Sequence, residues 1–188
     1  MTLPARLTSH PVVLRGLASA DAARVAELAG NWEVAKATAT IPHPYTEAMA
    51  RQFIAGLSGD AARGVAWTYA VTRADDGVLV GCAALMDGAA GRGNLGYWIG
   101  RPHWGLGYAT AAARAILSVG FAQLEHPTLT ALHLAANPAS GRVLEKCGMV
   151  EGARATLPHR DGAPQEFRTW SITREQWDRH QDTPCTHH

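Results

Sequence analysis

Residues 104 to 110 read W-G-L-G-Y-A-T, and this stretch decides how the rest of the chain is interpreted. Its two glycines lie directly before a run of good helix formers that begins at Ala111. The start of a helix leaves backbone N–H groups unpaired and carries about half a positive charge from the aligned peptide dipoles. Glycine lets an anion approach such a start without a Cβ in the way. The stretch therefore indicates either a phosphate site or a tight strand-to-helix turn without a ligand.

Strand and helix signals on both sides of the glycine turn predict a mixed α/β fold around one sheet. Alternating apolar side chains and turn residues predict strands near residues 12–14, 65–72, 78–86, 94–100, 129–135, 149–155 and 166–172. Helices are expected over about 20–29, 46–57, 107–123 and 138–147, with a short one after Thr173. Ser19, Thr46 and Asn137 have the residue types and positions of helix caps.

Composition bounds the class of protein. The chain has 188 residues, of which 47 % are hydrophobic and 18 % charged, so we expect one folded domain over 1–180 and a disordered polar tail over 181–188. The formal net charge is +1 and no run of Lys or Arg occurs, so no nucleic-acid partner is expected. No apolar run is long enough for a membrane span or a signal peptide, which makes the cytoplasm the expected compartment.

The three cysteines are widely spaced, which favours reduced thiols over a disulfide framework. Cys147 lies among apolar helix positions and is expected in the core. Cys185, His187 and His188 are residue types that bind metals, but no second ligand pair at zinc-like spacing accompanies them. We therefore expect no metal.

A second glycine motif, G-R-G-N-L-G at residues 91–96, matches the dinucleotide-binding pattern letter for letter. That pattern requires a strand before it and a helix that opens within it. Here the glycines lead into Tyr97, Trp98 and Ile99, which are strand formers. The dinucleotide interpretation is rejected because its structural context is absent.

Four separated motifs together resemble the GNAT N-acetyltransferases, most closely the branch that acetylates ribosomal-protein N-termini. They are G-Y-W-I (96–99), W-G-L-G-Y-A-T (104–110), N-P-A-S (137–140) and L-E-K-C-G-M (144–149). The N-terminal V-L-R (13–15) and I-P-H-P-Y (41–45) also fit that branch. The resemblance implies a mostly antiparallel, twisted sheet of about seven strands, flanked by helices and splayed between strands 4 and 5.

The resemblance also implies a site for acetyl-CoA. The pantetheine arm would bond to the backbone of Trp98, Ile99 and Gly100 like an added strand. Asn137 would position the thiol end, and Arg142 and Lys146 would reach the phosphates, although both are equally expected as solvated surface cations. The pyrophosphate would bind the loop residues Trp104, Gly105, Leu106, Gly107, Tyr108, Ala109 and Thr110.

The resemblance assigns catalysis less completely. Ser140 would donate a proton or a hydrogen bond to the departing CoA thiolate, or it is only a small residue at a helix start. Many relatives carry a glutamate base where this chain has Asn94, and an amide accepts no proton usefully at neutral pH. His133 is one candidate base, although a histidine on an apolar strand is more often a core residue. His43 and Glu47 are the other candidates.

We expect an acetyl-CoA-dependent N-acetyltransferase that acts as a monomer or homodimer on a primary amine, either a protein α-amine or a small molecule. The alternative is a CoA-binding sensor or interaction module that has lost turnover, which Asn94 keeps open. His43, Tyr45, Trp67 and Tyr97 are expected to border the acceptor, although the aromatic residues also fit a core role.

Overall fold

The structure, a computed structural model, describes residues 3–88, 92–123 and 126–182. Within them one eight-stranded sheet has the order β1-β2-β3-β4-β5-β6-β8-β7, and every pairing is antiparallel except β5 with β6. The strands are β1 (Arg6–Ser9), β2 (Val12–Arg15), β3 (Ala66–Arg73), β4 (Leu79–Gly88), β5 (Arg92–Ile99), β6 (Thr128–Leu134), β7 (Val150–Pro158) and β8 (Pro164–Thr173). The mixed α/β fold with a mostly antiparallel sheet is thereby confirmed.

Six helices flank this sheet within the described residues: α1 (Ala22–Ala29), α2 (Trp32–Lys36), α3 (Glu47–Ala62), α4 (Tyr108–Gln123), α5 (Pro138–Lys146) and α6 (Arg174–Asp182). Alanine and branched residues of α4 bury one face of the sheet together with Leu85 and Leu95. Helices α1 and α3 form a separate apolar cluster that includes Val25 and Leu28, with Trp98 of β5 packed against it. The sheet therefore carries helices on both faces, and β5 contributes side chains to each.

Most of the expected helix ends are confirmed. The Thr46 side chain accepts the N–H of Met49, and Gly148 adopts a φ of +79° after α5. Thr173 and Gln176 exchange two hydrogen bonds, of 2.8 Å and 3.2 Å, which is the expected capping box at the start of α6.

Three expectations about the N-terminal part were wrong. Ser19 does not cap α1: it lies in a 3-10 turn, and Asp21 accepts the N–H of Ala18 instead. The sheet has an additional edge strand, β1, because residues 6–9 pair back on β2 across a turn at His10–Pro11. The short helix α2 was not expected, since its signal is only a cap at Asn31 and a single helical turn.

The region between β4 and β5 also differs in detail. Gly88 and Gly93 lie within the two strands rather than in a turn, and residues 89–91 lie outside the described residues. Residues 92–99 form a strand, as the rejection of the dinucleotide motif requires. At the C-terminus, α6 includes residues 181 and 182 of the expected tail, whereas 183–188, with Cys185, His187 and His188, lie outside the described residues.

The sheet opens between β5 and β6. Paired residues run from Arg92↔Thr128 to Leu95↔Ala131, and no pairing follows although both strands continue for three or four residues. Strand β5 remains paired with β4 as far as Ile99. The strands therefore leave a gap at their C-terminal ends, and this gap is the expected splay between the fourth and fifth strands of the sequence analysis.

Candidate active site

The glycine turn lies at the mouth of this gap, because it directly follows β5. Gly105 and Gly107 have φ values of +78° and +79°. A Cβ at either position would meet no heavy atom within 4 Å, so both backbones border open space. Across the described part of the chain, no protein group accepts the N–H groups of residues 105–110, and the first bonded amide is Ala111, which donates to the Gly107 carbonyl. Six consecutive donors are thus directed to a ligand or to water, as an anion site requires.

The backbone of β5 offers further groups to the gap. The Gly100 N–H donates to Val80 of β4 at 2.8 Å. Because successive residues of a strand direct their N–H groups to opposite edges, the amides of Tyr97 and Ile99 point away from β4 and towards the gap. The Ile99 carbonyl on that edge accepts the indole N–H of Trp104 at 2.6 Å. The free gap-facing groups are therefore both polar groups of Tyr97 and the Ile99 N–H.

Trp104 holds the glycine turn against the end of β5 through that indole bond. Its ring is 40 % exposed, and the guanidinium of Arg101 lies 4.9 Å from the ring centroid. His103 faces away from the gap, since its Nε2 lies 3.2 Å from Arg24 of α1. Burial, followed by the charge of Arg24, lowers the pKa of His103. The first residue of the expected loop therefore positions it, while residues 105–110 are the ones free to bind.

Tyr97 and Ser140 connect the two sides of the gap. The Tyr97 hydroxyl oxygen lies 2.8 Å from the Ser140 Oγ and 3.1 Å from the Ser140 carbonyl oxygen. Burial raises the pKa of Tyr97 well above its usual value, so the phenol stays protonated at neutral pH. The Ser140 carbonyl oxygen can only accept a hydrogen bond. The Tyr97 hydroxyl can therefore donate to that carbonyl while it accepts a hydrogen bond from the Ser140 hydroxyl. This arrangement fixes the Ser140 hydroxyl in the first turn of α5.

The start of α5 is held by Asn137. Its Oδ1 accepts the N–H of Ser140 at 3.2 Å, which confirms the expected cap, and its Nδ2 donates to the Ala37 carbonyl at 3.1 Å. Arg142 and Lys146 are exposed one turn apart on α5 and make no ion pair with the described residues. Both side chains are therefore available to a polyphosphate or to solvent.

His133 lies on the face of β6 that α5 covers and is 8 % exposed. Its Nδ1 lies 2.8 Å from the Leu134 carbonyl, which can only accept, so Nδ1 carries the proton of the neutral ring. The remaining nitrogen, Nε2, is buried without a hydrogen-bond partner in the described structure, as is the Trp170 indole nitrogen. A Cβ on Gly141 would come within 3.0 Å of this Nε2, so the nitrogen faces the first turn of α5.

Asn94, Glu47 and His43 form no hydrogen bond with Ser140 in the described structure. Asn94 is half-buried in β5 between its paired residues Met86 and Thr130. Glu47 is exposed and forms an ion pair with Arg51. His43 is exposed, and its ring centroid lies 5.1 Å from that of Trp32. The structure brings none of these three beside Ser140.

The residues expected to border the acceptor separate into two groups. Tyr97 reaches the gap, and Tyr45 packs partly buried against the α1–α3 cluster, where burial raises its pKa. Trp67 is only 9 % exposed and belongs to the cluster under α4, together with Leu85. Trp67 is therefore placed in the core, in the cluster against which Tyr97 also packs, whereas Tyr45 lies against the other cluster.

Sequence reasoning missed one group beside the gap. The turn between β7 and β8 carries His159 and Arg160, which reach the carbonyl oxygens of Thr38 and Ala35 at 3.0 Å and 2.6 Å. More than 120 residues separate these partners, so no local pattern announces the contact. A Trp at the start of α2 and an Arg in a turn would have been the only signals.

Neither a membrane-spanning helix nor a metal-binding cluster occurs in residues 3–88, 92–123 and 126–182. No helix there combines the length and the apolar character that crossing a membrane requires. No group of three or more His, Cys, Asp or Glu side chains there is arranged to hold a metal ion.

Comparisons with known proteins agree with this geometry. The chain is 30 % identical over 115 residues, 60 % of its length, to the uncharacterized N-acetyltransferase YoaA of Bacillus subtilis. Matched stretches span between 32 % and 64 % of the curated B. subtilis relatives.

Two solved structures share the fold at low identity. Mycobacterium smegmatis RimJ, in complex with CoA-disulfide, superposes with a TM-score of 0.79 at 23 % identity, over 91 % of this chain and 87 % of its own. The ribosomal-protein-S5-alanine acetyltransferase of Vibrio fischeri superposes with a TM-score of 0.78 at 18 % identity, over 93 % of this chain and 99 % of its own. The family model of the acetyltransferase (GNAT) domain matches residues 12–150, and the chain therefore belongs to the GNAT acetyltransferase family.

Proposed function

We propose that this GNAT acetyltransferase transfers the acetyl group of acetyl-CoA to a primary amine by direct attack in a ternary complex. The observation that carries the proposal is the row of six unpaired N–H groups from Gly105 to Thr110 beside an open gap in the sheet. If the N–H groups of residues 105–110 hold an anionic group, a chain attached to that group would lie in the gap between β5 and β6. Few ligands other than a diphosphate with a long polar arm use both.

The chain's groups fit acetyl-CoA along its length. Residues 105–110 would bind the diphosphate, and the gap-facing polar groups of Tyr97 would pair with amide groups of the pantetheine arm. Acetyl-CoA supplies an activated thioester, whose carbonyl carbon is attacked by the amine nitrogen while the C–S bond breaks. The Ile99 N–H is directed to stabilise the negative charge that develops on the carbonyl oxygen.

The nitrogen loses two protons in this reaction, because an amine with a pKa near 8 to 10 is mostly protonated at neutral pH. One proton leaves the ammonium before attack and goes to a base. The other leaves the nitrogen as the amide forms and replaces the hydroxyl proton that Ser140, held by Tyr97 at the end of the gap, gives to the departing thiolate. The unpartnered His133 Nε2 is the base candidate nearest to Ser140, and it would act through a water molecule.

The acceptor is the least defined part of the proposal. The resemblance to the ribosomal-protein branch and the name of the Vibrio fischeri ribosomal-protein-S5-alanine acetyltransferase make a protein α-amine one class to be tested, and small-molecule amines are the other. A panel that contains both classes separates them.

The test combines turnover with binding. Protein, acetyl-CoA and each amine are incubated together while free thiol is measured, and the melting temperature is recorded with and without CoA. We expect a CoA-dependent rise in melting temperature and amine-dependent thiol release. A rise without release on any amine would favour the sensor over the enzyme. No rise at all would contradict CoA binding.

A further inference from the structure

The turn between β7 and β8 makes a second contact with the N-terminal half beside the gap. The Arg160 Nη1 donates to the Ala35 carbonyl at 2.6 Å, and its guanidinium carbon lies 5.3 Å from the ring centroid of Trp32. His159 is beside it, with Nε2 at 3.0 Å from the Thr38 carbonyl oxygen. Both partners belong to α2 and the residues just after it, so the turn covers the end of that helix.

This contact lies at the same end of the sheet as the proposed reaction site. Strand β8 pairs with β6 up to Leu134↔Phe167, and the β7–β8 turn extends beyond that pair past the C-terminal end of β6. The gap opens at that same end of β6. Helix α2 is joined to the start of α5 by the bond from Asn137 to the Ala37 carbonyl, two residues beyond the carbonyl that Arg160 binds. Two residues of helix rise only about 3 Å, so Arg160 and Asn137 hold neighbouring parts of one turn.

Arg160 has donors to spare. Its Nη1 is used by Ala35, whereas its Nε and Nη2 have no protein acceptor among residues 3–88, 92–123 and 126–182. No carboxylate of that part of the chain forms an ion pair with it. A guanidinium presents its donors in a planar fork that matches a carboxylate or phosphate, and an aromatic ring below it fixes the plane.

The surroundings of Arg160 favour an anion. The nearest carboxylate, Asp161, already accepts the Ala163 N–H at 3.0 Å and lies 3.6 Å from the His159 ring. On α2, Glu33 and Lys36 pair with each other. Trp32 is 51 % exposed and also meets the His43 ring, so an apolar and cationic wall faces solvent here.

We propose that Arg160 and Trp32 form an acceptor subsite that binds an anionic group, a carboxylate or a phosphate, carried by the amine substrate. The inference rests on the proposed function for the identity of the reaction and adds the chemical class of the acceptor. Arg160 would bind the oxyanion through its free donors while Nη1 keeps its bond to Ala35. The amine end of the same molecule would then reach the gap beside Ser140.

The test compares acceptors that differ only in this charge. Glycine, diglycine and triglycine are each assayed as the free acid and as the C-terminal amide, and the three lengths measure the span from the subsite to the thioester. Phosphoethanolamine and ethanolamine form the phosphate pair. We expect wild-type kcat/KM to favour the anionic member of at least one pair by about tenfold. An equal kcat/KM for the members of every pair would overturn the proposal.

Variants separate recognition from a structural role. Arg160→Gln is expected to remove the preference, lowering kcat/KM for the anionic acceptor about tenfold while the amide changes less than about twofold. Arg154→Gln is the matched control, since Arg154 lies in the same hairpin and pairs with Glu166. If Arg160→Gln lowers kcat/KM for both members of a pair equally, the arginine only fastens the turn to α2 and the subsite is wrong.

The proposed function and the subsite fail in different ways. If no amine releases thiol, acyl transfer is wrong. The same acid and amide pairs are then titrated calorimetrically into the CoA-loaded protein. Tighter binding of the anionic member, lost in Arg160→Gln, still supports the subsite, and equal binding of both members overturns it.

Discussion

The hydroxyl oxygen of Tyr97 on β5 lies 2.8 Å from the hydroxyl oxygen of Ser140 on α5, across the opening where β5 leaves β6. The contact joins residues 43 positions apart, and within the described residues no other side chain forms a hydrogen bond between β5 and α5. It orients the one hydroxyl that the geometry offers to a departing thiolate. The reaction is therefore expected to depend on both oxygens, but unequally.

Ser140→Ala removes the proposed proton donor and is expected to lower kcat about 100-fold, with KM for acetyl-CoA within about twofold of wild type. Tyr97→Phe keeps the donor and removes its orientation, so a loss of about tenfold is expected. Steady-state kinetics measure both. Ser118→Ala, at an exposed serine on α4, is the control, and a wild-type kcat in Ser140→Ala would remove that residue from the mechanism.

Gly107→Ala tests the anion loop. The left-handed φ of +79° makes any Cβ unfavourable, by roughly 1 kcal/mol, and relaxation of the strain would redirect the amides of the loop. We expect CoA affinity to fall at least about tenfold by calorimetry. Gly77→Ala is matched to it, with a φ of +73° and equally open surroundings in the β3–β4 turn. It should lose similar stability but no CoA affinity, and equal affinity losses would mean that strain alone was measured.

The base is tested by pH profiles. If His133 Nε2 takes the amine proton through water, His133→Asn should flatten the acidic limb of kcat/KM, because the group that must be deprotonated is gone. His43→Gln should leave the limb in place. A limb that persists in His133→Asn and disappears in His43→Gln would assign the base to His43 in the I-P-H-P-Y segment (41–45).

The ion pair between Arg15 and Asp21 should make the stability of the folded state decrease as the pH falls into the acidic range. Hydrogen bonds from Arg15, followed by that from the Ala18 amide, lower the pKa of Asp21. A carboxyl whose pKa is lower in the folded state stabilises it above the unfolded pKa of about 4, and this contribution disappears as the pH falls through the folded pKa. Asp21→Asn is expected to cost roughly 1 kcal/mol at pH 7, discounted for the partial exposure of Arg15.

Urea unfolding at pH 7 and pH 3 measures this difference. The difference in free energy of unfolding between wild type and Asp21→Asn should be smaller at pH 3 than at pH 7. The exposed pair of Arg73 and Asp75 provides a control, because Asp75→Asn removes a carboxylate that is 66 % exposed and should change stability little. A wild-type advantage over Asp21→Asn that is as large at pH 3 as at pH 7 would contradict the assignment.

The thiols should be unreactive in the folded protein. Cys147 is fully buried, and burial raises its pKa to about 11, while burial also raises the pKa of Cys82. In a Cys185→Ser variant we therefore expect no reaction with a thiol-specific dye at pH 7.5 until denaturant is added. This result would also allow CoA release to be followed with the same dye. Rapid labelling without denaturant would show that the α4–α5 contact opens.

The glycine turn could be predicted from sequence because its signals are local. A strand, two glycines and helix formers lie within a dozen residues, and the two positive φ values follow from that order. The caps at Thr46 and Asn137 were predictable for the same reason. Ser19 was not, because the chain enters α1 through a 3-10 turn in which the Asp21 carboxylate accepts the Ala18 N–H and bonds to Arg15 at the end of β2.

The parts that set specificity could not be predicted, because they depend on which distant segments meet. The Tyr97–Ser140 and Arg160–Ala35 contacts join residues 43 and 125 positions apart. Trp67 is a second example: alternation places it on one side of a strand, but only the tertiary structure shows that this side packs into the apolar cluster that includes residues of α4. Asn94 lies in β5, and its amide cannot serve as the base, so the base is assigned by the pH profiles above.

Only four paired positions join β5 to β6, so the two parts of the sheet are connected by a short ladder at one end of these strands. An extended ligand that lies against β5 and contacts α5 would bridge the two sides of the gap and restrict their relative motion. Its binding should slow deuterium uptake in β6 and α5 as well as at the loop that grips it. Acetyl-CoA would then both supply the acetyl group and stabilise the relative position of β5 and β6 during the reaction.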